Sequence, residues 1–141
     1  MAGISPKLPI NKDNEDGYAL TKTYLESTRQ NLKNLLLTVP GERIMLPNFG
    51  VGMKMFLFEQ HNPVTYGAIL AKIINQVDIY MSFVKIQKVD FYGPDGLWTS
   101  DEGFIPDSEP ESADYNLLQI RIYFLVVPIG QSGTLDLDFA V

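Results

Sequence analysis

The 141-residue sequence contains no cysteine and only one histidine, His61. The absence of cysteine excludes disulfides, thiolate zinc sites and cysteine nucleophiles together. His61 stands beside Asn62-Pro63, and a single histidine in a helix-capping loop is more often a hydrogen-bonding surface residue than a metal ligand or a base. The sequence therefore predicts neither a metal site nor a cofactor.

Long apolar runs are also missing. No window approaches the roughly 20 apolar residues that span a bilayer, and residues 1–14 lack the basic start and apolar stretch of a signal peptide. At 45% hydrophobic and 11% aromatic residues, the chain is sufficient for one core and not for two. We therefore predict a soluble protein with a single domain over residues 17–141, preceded by a polar arm over residues 1–16.

Basic residues are absent from one long segment, Gly93–Asn116. The chain as a whole has a formal net charge of −6, and this segment accounts for the acidic excess. This segment carries the acidic residues Asp95, Asp101, Glu102, Asp107, Glu109, Glu111 and Asp114. The remainder is nearly neutral, as is common in subunits whose surfaces are covered by neighbours. The acidic balance argues against broad nucleic-acid binding. Because the segment lacks the spaced ladder of a calcium loop, we predict a solvated acidic loop.

Residues suited to catalysis are few. Glu26, Glu42 and Glu59 are the candidates for a carboxylate pair that would cleave glycosides, but no pattern places two of them across a groove. Gly50-Val51-Gly52 resembles half of a phosphate-binding loop, yet its spacing fits neither the dinucleotide fingerprint nor the P-loop. The residues themselves therefore predict that the protein is not an enzyme.

The first half of the domain is predicted to be mostly helical. Alternation favours a strand over Tyr18–Leu25, and Ser27 or Thr28 then caps a helix that Pro40-Gly41 ends. A short helix follows over Gly52–Phe58. Asn62-Pro63 begins the longest helix. The apolar stripe of that helix is formed by Ile69, Ile73, Val77 and Tyr80, and Leu70, Ile74 and Met81 widen it.

The second half is predicted to be mostly strand. A strand over Val84–Tyr92 slips in phase near Lys88, which indicates a bulge. Trp98 and Phe104 indicate that the acidic segment is a partly ordered hairpin or loop. Leu117–Val127 is the strongest strand, and Thr134–Val141 alternates as a terminal strand. The predicted fold class is α+β, with a small antiparallel sheet of three to four strands covered by two or three helices.

One stretch of the sequence carries a pattern much more specific than the features described above. Leu36–Met53, continuing to Leu57–Glu59, contains a leucine-rich helix end, Thr-x-Pro-Gly-Glu-Arg, x-Pro-x-Phe-Gly-x-Gly and Leu-Phe-Glu at fixed spacing. This pattern closely resembles the signature of the sheath-initiating wedge protein of contractile-tailed phages, a baseplate family shared with type VI secretion and often labelled lysozyme-like. The resemblance covers roughly Tyr18 to Val127 and is strongest from Leu35 to Glu59.

The sequence departs from that family at two places. Gln60 stands where the family usually has proline after Glu59. Met81-Ser82-Phe83 stands where the long helix of the family typically ends in Glu-Pro-Arg, a motif that contacts the larger wedge subunits. A more apolar interface through Met81 and Phe83 is the natural replacement.

The resemblance implies a structural subunit in the tail baseplate of a virion, assembled in the host cytoplasm. The implied partners are larger wedge subunits and the tail sheath protein around a sixfold axis, with tube-proximal hub proteins as a further candidate and neither nucleic acid nor membrane. Leu117–Val127 or Thr134–Val141 would offer a sheet edge to the sheath. The partner-binding residues expected on this basis are Pro40, Gly41, Glu42, Arg43, Pro47, Phe49, Gly50, Gly52, Phe58, Glu59, Met81, Phe83, Leu135, Leu137 and Phe139. Two alternatives remain open: another tail component, such as a tube-end or completion protein, and a peptidoglycan glycosidase.

Overall fold

The computed structural model describes residues 3–93, 96–105 and 117–140, which form the predicted α+β fold. These described residues form two α-helices and nine strands, with 3-10 helices at Met53–Phe58 and Val127–Ile129. In chain order the elements are β1 (Ser5–Pro6), β2 (Lys12–Asp13), β3 (Gly17–Tyr18), β4 (Leu20–Thr21), α1 (Tyr24–Leu37), α2 (Pro63–Tyr80), β5 (Val84–Gly93), β6 (Gly96–Thr99), β7 (Gly103–Ile105), β8 (Leu117–Val126) and β9 (Gln131–Ala140).

Within the described residues the main sheet has five antiparallel strands in the order β7-β6-β5-β8-β9. It exceeds the predicted three to four strands because residues 96–105 of the acidic segment form a hairpin that pairs with β5. The predicted bulge near Lys88 is confirmed by a register shift between Ile86 and Lys88. Residues 106–116, the rest of the predicted acidic loop, lie outside the described residues.

The core lies between one face of this sheet and the helices. Alternate residues of β8 are buried there, as the sequence predicts: Leu118, Ile120, Ile122, Phe124 and Val126. Burial of such side chains contributes roughly 1.5–3 kcal/mol each. From the helix side the core receives Leu32, Leu35 and Leu36 of α1 and Ile69, Ile73 and Val77 of α2. None of the described helices is long and apolar enough to cross a membrane.

Helix α1 begins earlier than predicted. Thr23, rather than Ser27 or Thr28, is the cap, and its Oγ1 accepts a hydrogen bond from the backbone N–H of Glu26 at 3.2 Å. The Glu26 carboxylate in turn accepts from the N–H of Lys22 at 3.3 Å. This Thr-x-x-Glu arrangement is close to a capping box, which the alternation of Tyr18–Leu25 obscured. The predicted strand is therefore wrong beyond Thr21.

Helix α2 confirms the prediction at its start. The side chain of Asn62 accepts a hydrogen bond from the N–H of Thr65 at 2.8 Å, and Pro63 occupies the first turn, where its missing N–H costs nothing. The helix ends at Tyr80, and Met81 is its C-terminal cap. The predicted short helix at Gly52–Phe58 is a 3-10 helix.

The N-terminal residues fold back along the domain. Strand β1 pairs with β4, and β2 pairs with β3. The side-chain amide of Gln30 holds this segment to α1, because Nε2 donates to the carbonyl of Pro6 and Oε1 accepts from the N–H of Leu8, each at 2.9 Å. The proposed domain boundary after residue 16 stays a prediction.

Candidate functional site

The motif residues form the connection loop (residues 38–52) between α1 and the first 3-10 helix. Three backbone hydrogen bonds fix its shape. The N–H of Gly52 donates to Thr38 O at 2.9 Å, that of Val51 to Leu35 O at 3.0 Å, and that of Gly41 to Pro47 O at 2.8 Å. The loop is therefore a rigid extension of the end of α1.

Gly50 shows why the motif requires glycine. Its φ is +113°, and a Cβ at this position would lie 2.1 Å from the carbonyl oxygen of Thr38. Its N–H donates to Oε1 of Gln76 at 3.0 Å, while Nε2 of Gln76 donates to the carbonyl of Asn48 at 3.0 Å. Gln76, buried on α2, thus joins the loop to the long helix. Gln76 was not among the residues predicted from the sequence, although a polar residue within the apolar stripe of α2 was a usable signal.

A ring stack joins the same loop to the end of α2. The guanidinium carbon of Arg43 lies 4.1 Å from the ring centroid of Phe49, which is cation–π geometry. Phe49 in turn packs edge-on against Tyr80, with ring centroids 4.9 Å apart. The structure therefore brings Arg43 and Phe49 next to the segment that begins at Met81, two regions that the sequence linked only through the family resemblance.

Large apolar side chains project from this part of the surface. Ile44 is 95% exposed and Met45 90% exposed, and both follow Arg43 in the connection loop. Phe58, at the end of the first 3-10 helix, is 87% exposed. Single exposed apolar residues are ordinary, but adjacent ones at the tip of a rigid loop are typical of a protein interface.

The other predicted residues of this region serve different roles. Glu42 accepts a hydrogen bond from the N–H of Val39 at 3.1 Å and so helps to close the turn. Pro47 and Glu59 are exposed, whereas Gly52 is buried. Pro40 is partly buried beside Gly52, and Gly41 is exposed with φ +92°. After α2, Met81 is buried but Phe83 is 42% exposed, so of these two residues only Phe83 presents its side chain at the surface.

The second candidate surface is the outer edge of β9. In the described part of the chain, β9 pairs only with β8 and ends the sheet. By contrast, β8 lies between β5 and β9 and cannot offer a free edge, which corrects the alternative that Leu117–Val127 is the available strand. The side chains of Leu135, Leu137 and Phe139 are buried in the core of this chain. A partner at this edge would therefore meet the backbone of β9 rather than these three side chains.

The register identifies which backbone groups of β9 point outward. The N–H of Val127 donates to Phe83 O at 3.0 Å, so the backbone groups of Val126 point away from β5 and toward β9. Val126 pairs with Gln131, and the pairing continues without a bulge to the end of the strand. Because the direction alternates along an antiparallel strand, Gln131 and every second residue after it bond to β8. The outward groups belong to Ser132, Thr134, Asp136, Asp138 and Ala140.

Carboxylates in the described residues have structural partners or lie on the surface. Glu26 forms an ion pair with Lys7 at 3.1 Å, and the hydrogen bond from Lys7 is the main cause that lowers the pKa of Glu26. Burial raises the pKa of Asp90, whose Oδ1 lies 3.3 Å from Nζ of Lys88, and this ion pair offsets only part of that rise. No group of three or more metal-ligating side chains occurs within residues 3–93, 96–105 and 117–140.

Solved structures share this architecture. The chain resembles a protein of Geobacter sulfurreducens described as a tail lysozyme, with 20% identity, a TM-score of 0.64 and coverage of 87% of this chain and 96% of that chain. It also resembles a chain in the baseplate of the anti-feeding prophage, with 24% identity, a TM-score of 0.62 and coverage of 86% and 83%. At these identities the similarity establishes a common fold. No curated protein matches the sequence.

The family described as "Baseplate wedge protein gp25" matches residues 22–96, more than half of the chain. This segment includes α1, the connection loop, α2 and β5. The match to this family identifies the chain as a structural component of a tail baseplate. The chain belongs to the baseplate wedge protein gp25 family, as the sequence resemblance implied.

Proposed function

We propose that this chain is a wedge subunit that starts sheath assembly by adding a strand of the sheath protein to the free edge of β9. The connection loop and Phe83 would bind the larger wedge subunits. Both partners would surround the tail axis with sixfold symmetry, which is consistent with the 6-fold symmetrised baseplate of the similar anti-feeding prophage chain. The observation that carries the proposal is the outer edge of the ten-residue strand β9, with which no described strand pairs.

The free edge of β9 supports this proposal because exposed strand edges are normally protected. Proteins shorten, bend or cover such edges, since unpaired N–H and C=O groups recruit other strands. Here β9 matches β8 along its whole length without a bulge, and no described strand covers its outer side. A long, regular and unpaired edge is the feature that β-strand addition requires.

The connection loop supports the second contact through side chains rather than backbone. Its own hydrogen bonds and the Arg43–Phe49–Tyr80 stack hold it in place before any partner binds. Ile44 and Met45 then project as apolar anchors, and Phe83 lies beyond the same end of α2. Preorganised apolar anchors lose little conformational entropy on binding.

We also propose that the protein is not a glycosidase, despite the description of its Geobacter sulfurreducens relative as a tail lysozyme. The general acid of a glycosidase needs a raised pKa and access to substrate. The pKa of Glu26 is lowered, and Asp90, whose pKa is raised, is only 3% exposed. The purified chain should therefore leave peptidoglycan intact in a turbidity assay.

Proline substitutions test the free edge directly. The N–H groups of Thr134 and Asp138 point outward, so Thr134→Pro/Asp138→Pro removes two outward donors without breaking the ladder to β8. The control, Thr134→Ala/Asp138→Ala, removes the same side chains and keeps both donors. We expect both variants to fold, as judged by circular dichroism and thermal unfolding.

The effect of each variant on sheath growth is measured by tail assembly. Each variant would be combined with the wedge and sheath subunits of its own particle, and sheathed tails would be counted by negative-stain electron microscopy. The proline pair should abolish sheath growth and leave baseplate assembly unchanged, while the alanine pair should behave as the wild type. If the folded proline pair nucleates sheath normally, the edge of β9 is not the sheath contact.

A further inference from the structure

A groove of about 430 Å³ lies beside the free edge of β9. Three elements bound it: the N-terminal segment through Lys7, Leu8 and Pro9, helix α1, and β9 through Leu135. The groove opens on the helix side of the sheet, because the side chain of Leu135 points to that side and is buried. Any strand that pairs with β9 would therefore run along the mouth of this groove.

The face of α1 in the groove is basic. Glu26, Arg29 and Lys33 all line it, and their spacing places them along one side of the helix. Glu26 is already paired with Lys7 at 3.1 Å. In the described part of the chain, no carboxylate lies within ion-pair distance of Arg29 or Lys33. Two cations thus face the groove without an ion pair to a described residue, although Glu26 attracts Arg29 electrostatically, on a chain whose formal net charge is −6.

Strand pairing determines which side chains of an added strand would reach these cations. Residues directly opposite each other on neighbouring strands point to the same face of a sheet, whether the strands are parallel or antiparallel. The residue opposite Leu135, and every second residue from it, would therefore point to the helix side. Because Leu135 lines the groove, a side chain at the first of these positions would lie beside it.

We propose that the strand received by β9 carries acidic side chains on its helix-facing side and that Arg29 and Lys33 bind them. The inference rests on the proposed addition of a strand at β9 and gives that strand a charge. Pairing by backbone alone would accept any extended segment, so the basic groove supplies selectivity and fixes the register. Leu8 and Leu135 would pack against the aliphatic part of the acidic side chain.

An engineered tenth strand tests this with the full chain. A ten-residue strand would be joined after Val141 through one threonine and an Asn-Gly turn, so that it folds back along the outer edge of β9. One version has glutamate at the three helix-facing positions nearest Leu135, and the other has lysine there. Tethering makes pairing intramolecular, so a weak preference becomes measurable. Each version would be made in the wild-type chain and in Arg29→Glu/Lys33→Glu, with Lys12→Glu/Lys54→Glu as a control of equal charge change outside the groove.

Hydrogen exchange and thermal unfolding give separate answers. In the wild type we expect both added strands to slow exchange of the outward amides of Thr134, Asp136 and Asp138. The glutamate strand should give the greater protection and a thermal midpoint several degrees higher than the lysine strand. Arg29→Glu/Lys33→Glu should reverse that order, and Lys12→Glu/Lys54→Glu should preserve it.

Failure of the acidic preference and failure of strand addition at β9 give different results in this experiment. If both strands protect the outward amides equally, and the Arg29→Glu/Lys33→Glu chain shows the same midpoints for both, the acidic preference is refuted while strand addition at β9 stands. If neither strand protects those amides in any background, the edge does not accept a strand. That result would overturn the charge preference together with the proposed function.

Discussion

The connection loop exposes apolar side chains, whereas strand β9 exposes backbone groups. In the loop the backbone is internally hydrogen-bonded and the apolar side chains of Ile44 and Met45 are exposed. In β9 the side chains of Leu135, Leu137 and Phe139 are buried and the outward backbone groups have no described partner strand. The first surface can select a partner by side-chain shape, whereas the second accepts backbone. The two surfaces should therefore respond to different kinds of substitution.

The largest expected effect is a loss of stability when the connection loop is displaced from its position at the end of α1. Gly50→Ala introduces a Cβ that would lie 2.1 Å from Thr38 O at a φ of +113°. The strain and the displacement of the loop should cost more than about 3 kcal/mol in the free energy of unfolding, measured by chemical denaturation.

Gly41→Ala is the matched control for this substitution. Gly41 also has a positive φ, +92°, but no atom lies within 4 Å of the position of its Cβ. Gly41→Ala should therefore lower the free energy of unfolding by only about 1–2 kcal/mol, through backbone strain. Equal losses for the two variants would show that contact with Thr38 is not what requires glycine at position 50.

The second prediction concerns the amide that ties the loop to α2. Gln76→Met keeps the length of the side chain and removes its hydrogen bonds to Gly50 N–H and Asn48 O. Because Gly50 is buried, its N–H loses a partner that water does not readily replace. Unfolding free energy should fall by about 2 kcal/mol. Gln87→Met, at an exposed position of β5, should change it by less than about 0.5 kcal/mol.

The turns of the connection loop were predictable from the sequence, but the contacts that hold the loop against α2 were not. Glycine and proline spacing indicated the turns, and the apolar stripe identified α2. Gln76 and Tyr80 reach the loop only because α2 packs against it, and a contact between residues 26 positions apart leaves no local pattern. Likewise, the alternation of Leu135, Leu137 and Phe139 predicted a strand, while their role as core residues depends on α1 covering β9.

The third prediction separates binding from stability at the loop. Ile44→Glu/Met45→Glu changes two side chains that are at least 90% exposed, so unfolding free energy should change by less than about 0.5 kcal/mol. Affinity for the larger wedge subunits, measured by biolayer interferometry, should fall by about tenfold or more because buried apolar anchors dominate interface energies.

Ile4→Glu/Ile10→Glu provides the control for that binding measurement. These two side chains are also exposed and apolar, but they lie in the N-terminal segment rather than in the connection loop. The control should bind the wedge subunits as the wild type does. A comparable loss of affinity in both variants would point to added negative charge, not to the loop, as the cause.

The smallest expected effects are pH effects from two carboxyl groups whose pKa values shift in opposite directions. The hydrogen bond from Lys7 lowers the pKa of Glu26, so its stabilising contribution is full above the ordinary glutamate pKa and is lost as the pH falls through the folded value. Burial raises the pKa of Asp90, so ionisation opposes folding. Its contribution therefore favours the folded state at low pH and declines as the pH rises from the ordinary aspartate pKa through the higher folded value.

Two variants resolve these contributions. Glu26→Gln should reduce the loss of stability on acidification, because it removes a group that must be ionised to hold Lys7 against α1. Asp90→Asn should make stability fall less as the pH rises above the ordinary aspartate pKa, since the amide carries no charge to bury. Thermal midpoints measured from pH 3 to pH 7 should thus diverge from the wild type in opposite directions. If Asp90→Asn instead flattens the rise in stability with pH, the Lys88 ion pair outweighs burial at that site.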